Sequence, residues 1–298
     1  MRITFILSFF LSLSLMVSSQ PKMEKSKLIQ KGALLKLISS EFKFTEGPTA
    51  DRDGNVFFTD QPNDRIMKWS TNGTISVFME GAGRSNGLAF DMNGNLLACA
   101  DLHNELWSID KNRKVTILVK NFKGKKLNGP NDLWIHPRGW IYFTDPFYKR
   151  DYWNRSEKEI EQENVYYFSA DGKILEVAAG DFVRPNGIVG TRDGKKLYVA
   201  DINAGKTYSF RIGNDGSLSD RKLFAALGSD GITIDKKGNV YLTGKGVTIL
   251  NPDGEQIGHI PVPEGWTANV CFGGSDKKTL FITASKSLYS LQMKVNGQ

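Results

Sequence analysis

The sequence predicts an all-β fold, a six-bladed β-propeller with four-stranded blades, on three observations. Six segments repeat one pattern: a polar residue, a short apolar run, a Gly-centred turn, then a strand ending in Asp, Gly or Ala. Their leading residues lie 40, 45, 55, 44 and 39 positions apart, close to the length of a propeller blade. Between them stand further strand pairs such as "RIMKWSTNGTISVFM" and "ELWSIDKNRKVTILV", with alternating apolar residues around a turn, so each period holds four strands and helix is nearly absent.

In chain order, "MRITFILSFFLSLSLMVSS" comes first, with one positive charge, an apolar run of about fifteen residues and small residues around Val17, Ser18 and Ser19. That is a signal-peptide pattern over residues 1–19. It implies export to the periplasm or beyond the cell, with residues 20–298 as a single propeller domain and no stable membrane insertion once the signal is cleaved. The run is short for a bilayer span of about 20 residues, and no later segment is apolar enough to cross one.

Next comes "ALLKLISSEFKF", a strand that precedes the first repeat. A ring must close, because an open edge strand invites aggregation, so this strand is expected to complete the last blade beside "SLYSLQMKV".

The repeats follow: "EGPTADRDGNVFFTD" from Glu46, "NGLAFDMNGNLLACAD" from Asn86, "NDLWIHPRGWIYFTDP" from Asn131, "NGIVGTRDGKKLYVAD" from Asn186, "DGITIDKKGNVYLTG" from Asp230 and "NVCFGGSDKKTLFITA" from Asn269. In the first five, Gly54, Gly94, Gly139, Gly194 and Gly238 fall eight residues after the leading residue, and Lys277 takes that place in the sixth. Cys99 and Cys271 sit in apolar strands with neither a C-x-x-C motif nor a disulfide framework, and read as buried free thiols. The net charge of +7 is scattered, "KGKK" at 123–126 being the densest cluster, and no aromatic ladder accompanies it, so nucleic acid is not an expected partner.

If the repeats are equivalent, their leading residues share one place, the start of each blade's innermost strand, where strands line the channel. Glu46, Asn86, Asn131, Asn186, Asp230 and Asn269 all carry a side-chain oxygen. Any one of them reads equally as a turn residue bonding its own backbone. All six together point to a ring of donors, since Glu is a poor turn residue and no apolar residue takes the position. Two converging carboxylates and several amides resist desolvation unless something pairs with them. Oxygen donors without His or Cys suit one hard divalent cation, Ca²⁺ first, Mg²⁺ or Mn²⁺ next, with Zn²⁺ admitted by oxygen sites; the predicted fold thereby gains a metal site in its channel.

The motifs "EGP" at Glu46, "GPNDLWIHPRGWIYFTDP" at 129–146, "RPNGI" at 184–188, "SDGITID" at 229–235 and "NVCFGG" at 269–274 resemble the gluconolactonase/regucalcin (senescence marker protein 30-like) family. The resemblance spans nearly the whole chain after the signal segment. It implies a propeller with a divalent metal in the channel and hydrolysis of a sugar lactone, a small-molecule substrate. Carried over by motif, Glu46, Asn186 and Asp230 correspond to metal ligands, Asn131 to a residue holding metal or substrate, and Asp230 also to the general base. Asn86, Asn128, Asn131, Asn269 and His103 are the expected substrate contacts. Gly129 stands where the regucalcin branch has an Arg, and Lys126-Leu127-Asn128 is nearer the bacterial gluconolactonase branch, which leaves the substrate-facing cation unassigned. An arylesterase or organophosphatase activity, and a non-catalytic propeller with structural calcium, are the alternatives. The expected assembly is a monomer or dimer.

The longest interval contains "FYKRDYWNRSEKEIEQEN", residues 147–164, which reads either as an insertion over the channel mouth or as a solvated outer loop. G-x-S-x-G, H-E-x-x-H and P-loop patterns are absent, which leaves serine-esterase, zincin and NTPase chemistry without support.

Overall fold

A computed structural model describes residues 27–298; the signal-peptide reading of residues 1–19 lies outside them. Six four-stranded antiparallel sheets are arranged in chain order. Blades one to five each use four consecutive strands. Their innermost strands are Thr45–Ala50, Leu88–Phe90, Leu133–Ile135, Pro185–Gly190 and Ile232–Ile234, and that of the sixth is Thr267–Gly273. The only helical element among the described residues is a 3-10 turn at Gln61–Asn63.

The sixth blade is built from both ends of the chain. Lys36–Ser39, here β1, pairs antiparallel with Ser287–Gln292, here β24, with Lys36 opposite Ser290. The strand expected to close the ring does so.

The core lies between blades rather than within one. Six buried clusters occur, each shared by neighbours. One joins Leu97, Cys99 and Leu106 of the second blade to Leu133, Phe143 and Tyr166 of the third. Second strands such as Val56–Asp60, Leu96–Ala100 and Ile141–Asp145 are therefore buried on both faces, which is why they read as unbroken apolar runs. Outermost strands are largely exposed, as at Ile75–Glu80. Cys99 and Cys271 are both buried free thiols.

The repeat phase is visible in the backbone. Gly54, Gly94, Gly139, Gly194 and Gly238 have φ of 89, 85, 83, 70 and 81°. Lys277, in the same place, adopts φ 56° despite the steric cost to a residue with a Cβ. The sixth repeat thus preserves the turn geometry without the glycine.

Candidate functional site

Each leading residue sits where its strand's ladder to the next is broken. Register shifts fall between Glu46 and Thr49, between Pro185 and Ile188, and between Thr267 and Asn269. In the other three blades the innermost strand begins two residues later, at Leu88, Leu133 and Ile232. A break of this kind re-aims a side chain, here out of the sheet and towards the axis.

Two devices fix these positions. Threonines on the second strands brace the backbone. Thr59 Oγ1 donates to the Asn86 carbonyl at 3.1 Å, Thr243 Oγ1 to those of Gly231 at 3.0 Å and Ala268 at 2.7 Å, and Thr283 Oγ1 to that of Asn269 at 3.1 Å. Aspartates at the ends of second strands form clasps. Asp60 accepts the backbone N–H groups of Lys43 and Phe44 at 2.9 and 3.3 Å, Asp145 those of Asn128 and Gly129 at 2.9 and 2.7 Å, and Asp201 those of Val183 and Arg184 at 2.9 Å each. In every case the clasped amides lie three and two residues before the leading residue, Glu46, Asn131 or Asn186. The second blade departs from this: Asp101 instead accepts from Arg150 Nε at 3.0 Å and from the Tyr152 hydroxyl.

The leading residues converge. Asn186 Nδ2 donates to Asp230 Oδ1 at 2.8 Å and to the Tyr148 hydroxyl at 2.9 Å, so its Oδ1 is left as an acceptor with no protein partner. Trp266 Nε1 donates to Asp230 Oδ2 at 2.6 Å. Glu46 Oε2 accepts the Gly47 N–H at 2.9 Å, and the Asn269 side chain favours the ionised forms of both Glu46 and Asp132. Glu46, Asn86, Asn131, Asn186 and Asn269 are buried, and Asp230 is half-buried. Packing around the axis leaves no space for an added carbon: a Cβ at Gly231 would lie 2.0 Å from the Asn269 side chain.

Where four blades have Gly47, Gly87, Gly187 and Gly231 after the leading residue, the third has Asp132. Its buried carboxylate points at the channel, and a Cβ on Gly87 would come within 2.6 Å of its Oδ1. Burial pushes the Asp132 acid up to about 7. Burial also raises Glu46, with repulsion from Asp230 second, and burial raises Asp230 against the bonds from Trp266 and Asn186. Three acids therefore crowd this part of the channel, and among the described residues no lysine or arginine forms an ion pair with any of them. Among the described residues no group of three or more His, Cys, Asp or Glu side chains is placed to hold a metal. The donor set is the pair Glu46 and Asp230 together with amide oxygens.

The other sequence-predicted residues lie further out. Asn128 is fully buried beneath the insertion, its Nδ2 on the Gln162 carbonyl at 3.0 Å and its Oδ1 without a partner. His103 is exposed and stacks on Trp107 at 5.3 Å, in a cleft bordered by Tyr152 and Arg155 rather than among the leading residues. Residues 147–164 resolve one open question. They pack over this end of the channel, bringing Tyr148 to Asn186 and Trp153 Nε1 to the Asp101 carbonyl at 2.8 Å. From Asp132 and Asn269 the inner strands line a cavity of about 340 Å³ that runs on to Thr49, Gly190, Ile234 and Lys277.

Sequence reasoning missed Asp132, Tyr148 and Trp266. Asp132 carried a signal, the one carboxylate among the glycines that follow the leading residues. Tyr148 lay in the insertion read as one possible cover for the channel mouth but was given no role of its own, and Trp266 carried no signal, since each reaches the site from outside the repeat phase.

Fold and site together define a six-bladed propeller whose channel gathers Glu46, Asp132, Asn186, Asp230 and Asn269 beneath an inserted loop. The chain belongs to the family described as SMP-30/Gluconolactonase/LRE-like region, which matches residues 44–286. It is similar to a gluconolactonase of Zymomonas mobilis, 29% identical over 293 residues that cover 88% of this chain and 82% of that one. A solved structure of a gluconolactonase from Xanthomonas campestris superposes with a TM-score of 0.85 at 28% identity, covering 92% of this chain and 95% of that one. A calcium-binding regucalcin from Agrobacterium tumefaciens shares the fold, with a TM-score of 0.77 at 20% identity over 89% of this chain and 96% of that one.

Proposed function

We propose that the protein is a cation-dependent hydrolase that opens a sugar lactone, with Asp230 as the general base. The observation that carries this reading is the convergence of Glu46, Asp132 and Asp230 with the Asn186 and Asn269 amides, two buried acids and a half-buried one with no lysine or arginine among the described residues paired to any of them, inside a lactonase family. Neutralised by a cation, the cluster is ready for use; without one it is an electrostatic burden.

The donor set fits a hard divalent ion, Ca²⁺ first. Glu46, Asn131, Asn186 and Asp230 would hold it, and when bound it supplies positive charge to the lactone carbonyl oxygen. Asn186 suits this role because both its N–H groups are committed to Asp230 and Tyr148, which leaves the carbonyl oxygen for the ion. Asp230 is held from both sides, by Asn186 on Oδ1 and Trp266 on Oδ2, so its carboxylate cannot rotate freely. Fixed and half-exposed, it is suited to take a proton from the water that attacks the carbonyl. The insertion covers this end and limits competing solvent.

The test is a panel of sugar lactones assayed after chelation and then with Ca²⁺, Mg²⁺, Mn²⁺ or Zn²⁺ restored singly. Turnover that requires a cation is the expected result. Hydrolysis indifferent to metal would overturn the mechanism, and no hydrolysis would favour a binding role.

A further inference from the structure

Two arginines flank Tyr148. The Arg184 guanidinium carbon lies 4.7 Å from the ring centroid and that of Arg150 lies 5.3 Å from it. Tyr148 is bonded to Asn186, so both cations, packed on its ring, border the reaction centre.

Arg150 is restrained through its Nε, whereas Arg184 is placed by its stacking on Tyr148 and a longer ionic approach to Glu163. Arg150 Nε donates to Asp101 at 3.0 Å, and Arg184 Nε faces Glu163 Oε2 at 3.7 Å, too far for a hydrogen bond. That Arg184 nitrogen is buried without a hydrogen-bond partner. The terminal nitrogens of both arginines have no protein acceptor and are not sealed from solvent. Held at Nε, the Arg150 guanidinium presents its two-pronged edge, the edge that matches a carboxylate, sulfonate or phosphate, and Arg184 adds its own terminal nitrogens from the other side of Tyr148. Asp60, Asp145 and Asp201 serve the backbone, whereas their counterpart Asp101 is committed to the loop that carries Arg150. A buried ion pair of this kind adds little net stability, so its value lies in fixing where the arginine points.

We infer that Arg150 and Arg184, stacked on Tyr148, form a subsite for an anionic substituent of the lactone, remote from its carbonyl. This rests on the lactone-hydrolase reading above. The preferred substrate is then an acidic sugar lactone, and the cation absent at Gly129 is supplied from the insertion and from the residue two before Asn186.

The experiment compares kcat/KM of the full chain, with cation supplied, for gluconolactone and for counterparts carrying a carboxylate, a sulfonate or a phosphate at the far end. The expected result is a preference of about tenfold or more for an anionic member, the size of one charge-assisted contact. The ratio of anionic to neutral kcat/KM should fall several-fold in Arg150→Gln and in Arg184→Gln, through KM. Arg150→Lys, which keeps the charge but not the fork, should recover only part of it. Calorimetric binding of the matching sugar acids to Asp230→Asn protein should show the same order without turnover. Equal kcat/KM for neutral and anionic lactones, or variants that lower both alike, would overturn the subsite while leaving the lactonase reading intact. Hydrolysis of none of the panel would remove both.

Discussion

Two sets of buried acids ring this channel, one strand apart, and they are satisfied in opposite ways. Asp60, Asp145 and Asp201, at the ends of second strands, each accept a pair of backbone N–H groups. Glu46, Asp132 and Asp230, on or beside the innermost strands, share a few amide and indole donors and repel one another. The outer acids hold the backbone that aims the inner residues. The inner acids are left partly unpaired, as a site for a charged ligand must be. Residue type and burial alone do not separate structure from function here; the identity of the hydrogen-bond donor does.

The largest effect expected on this contrast is at Asp230. Asp230→Asn should lower turnover by roughly a thousandfold, the scale of a lost general base, while the cation-free variant melts no lower than the parent at neutral pH because a repelling charge is gone. A lactone assay paired with thermal melting checks both halves. Asp201→Ala should show the reverse order. Two part-buried backbone N–H groups before Asn186 lose their acceptor, at about 1–3 kcal/mol in urea unfolding, with activity falling as a secondary result.

Next in size is the pH dependence. Burial holds Asp132 and Asp145 near 7 in the fold, above the value of about 4 for an unfolded chain, so the folded state binds these protons more tightly. Their contribution is therefore full below about pH 4 and is lost as the pH rises through about 7. Cation-free protein should lose melting temperature over that window, and added Ca²⁺ should restore it most at the alkaline end. A flat pH profile would mean that burial strains neither the inner Asp132 nor the outer Asp145. The smallest effect is Tyr148→Phe, which removes one acceptor from Asn186 and should weaken cation binding only a few-fold by calorimetry.

Much of this was legible in the sequence because a repeat turns linear spacing into geometry. The turn glycines, the six oxygen-bearing leading residues and the closing strand all follow from the period, and Lys277 could be placed although it breaks the glycine pattern. What escaped has a common physical reason. Tyr148, Trp266 and Arg150 reach the site from loops whose path no periodicity dictates. Asp101 has the same repeat position as Asp201, yet its partners are Arg150 and Tyr152, some fifty residues away in the chain. His103 shows the converse, a polar residue near a strand end that points to a separate cleft.

The pairing of β1 with β24 bears on how the molecule folds. Other ladder contacts join neighbouring strands along the chain, so blades can form from local hairpins, whereas this one joins Lys36 to Ser290. Long-range closure is slow because the loop's entropy is lost before the contact forms. A circular permutant opened between two blades, with the old ends linked, would convert that closure into an ordinary hairpin. Its refolding rate, against that of the parent, would measure how far the final strand governs the time the open ring spends with an exposed edge.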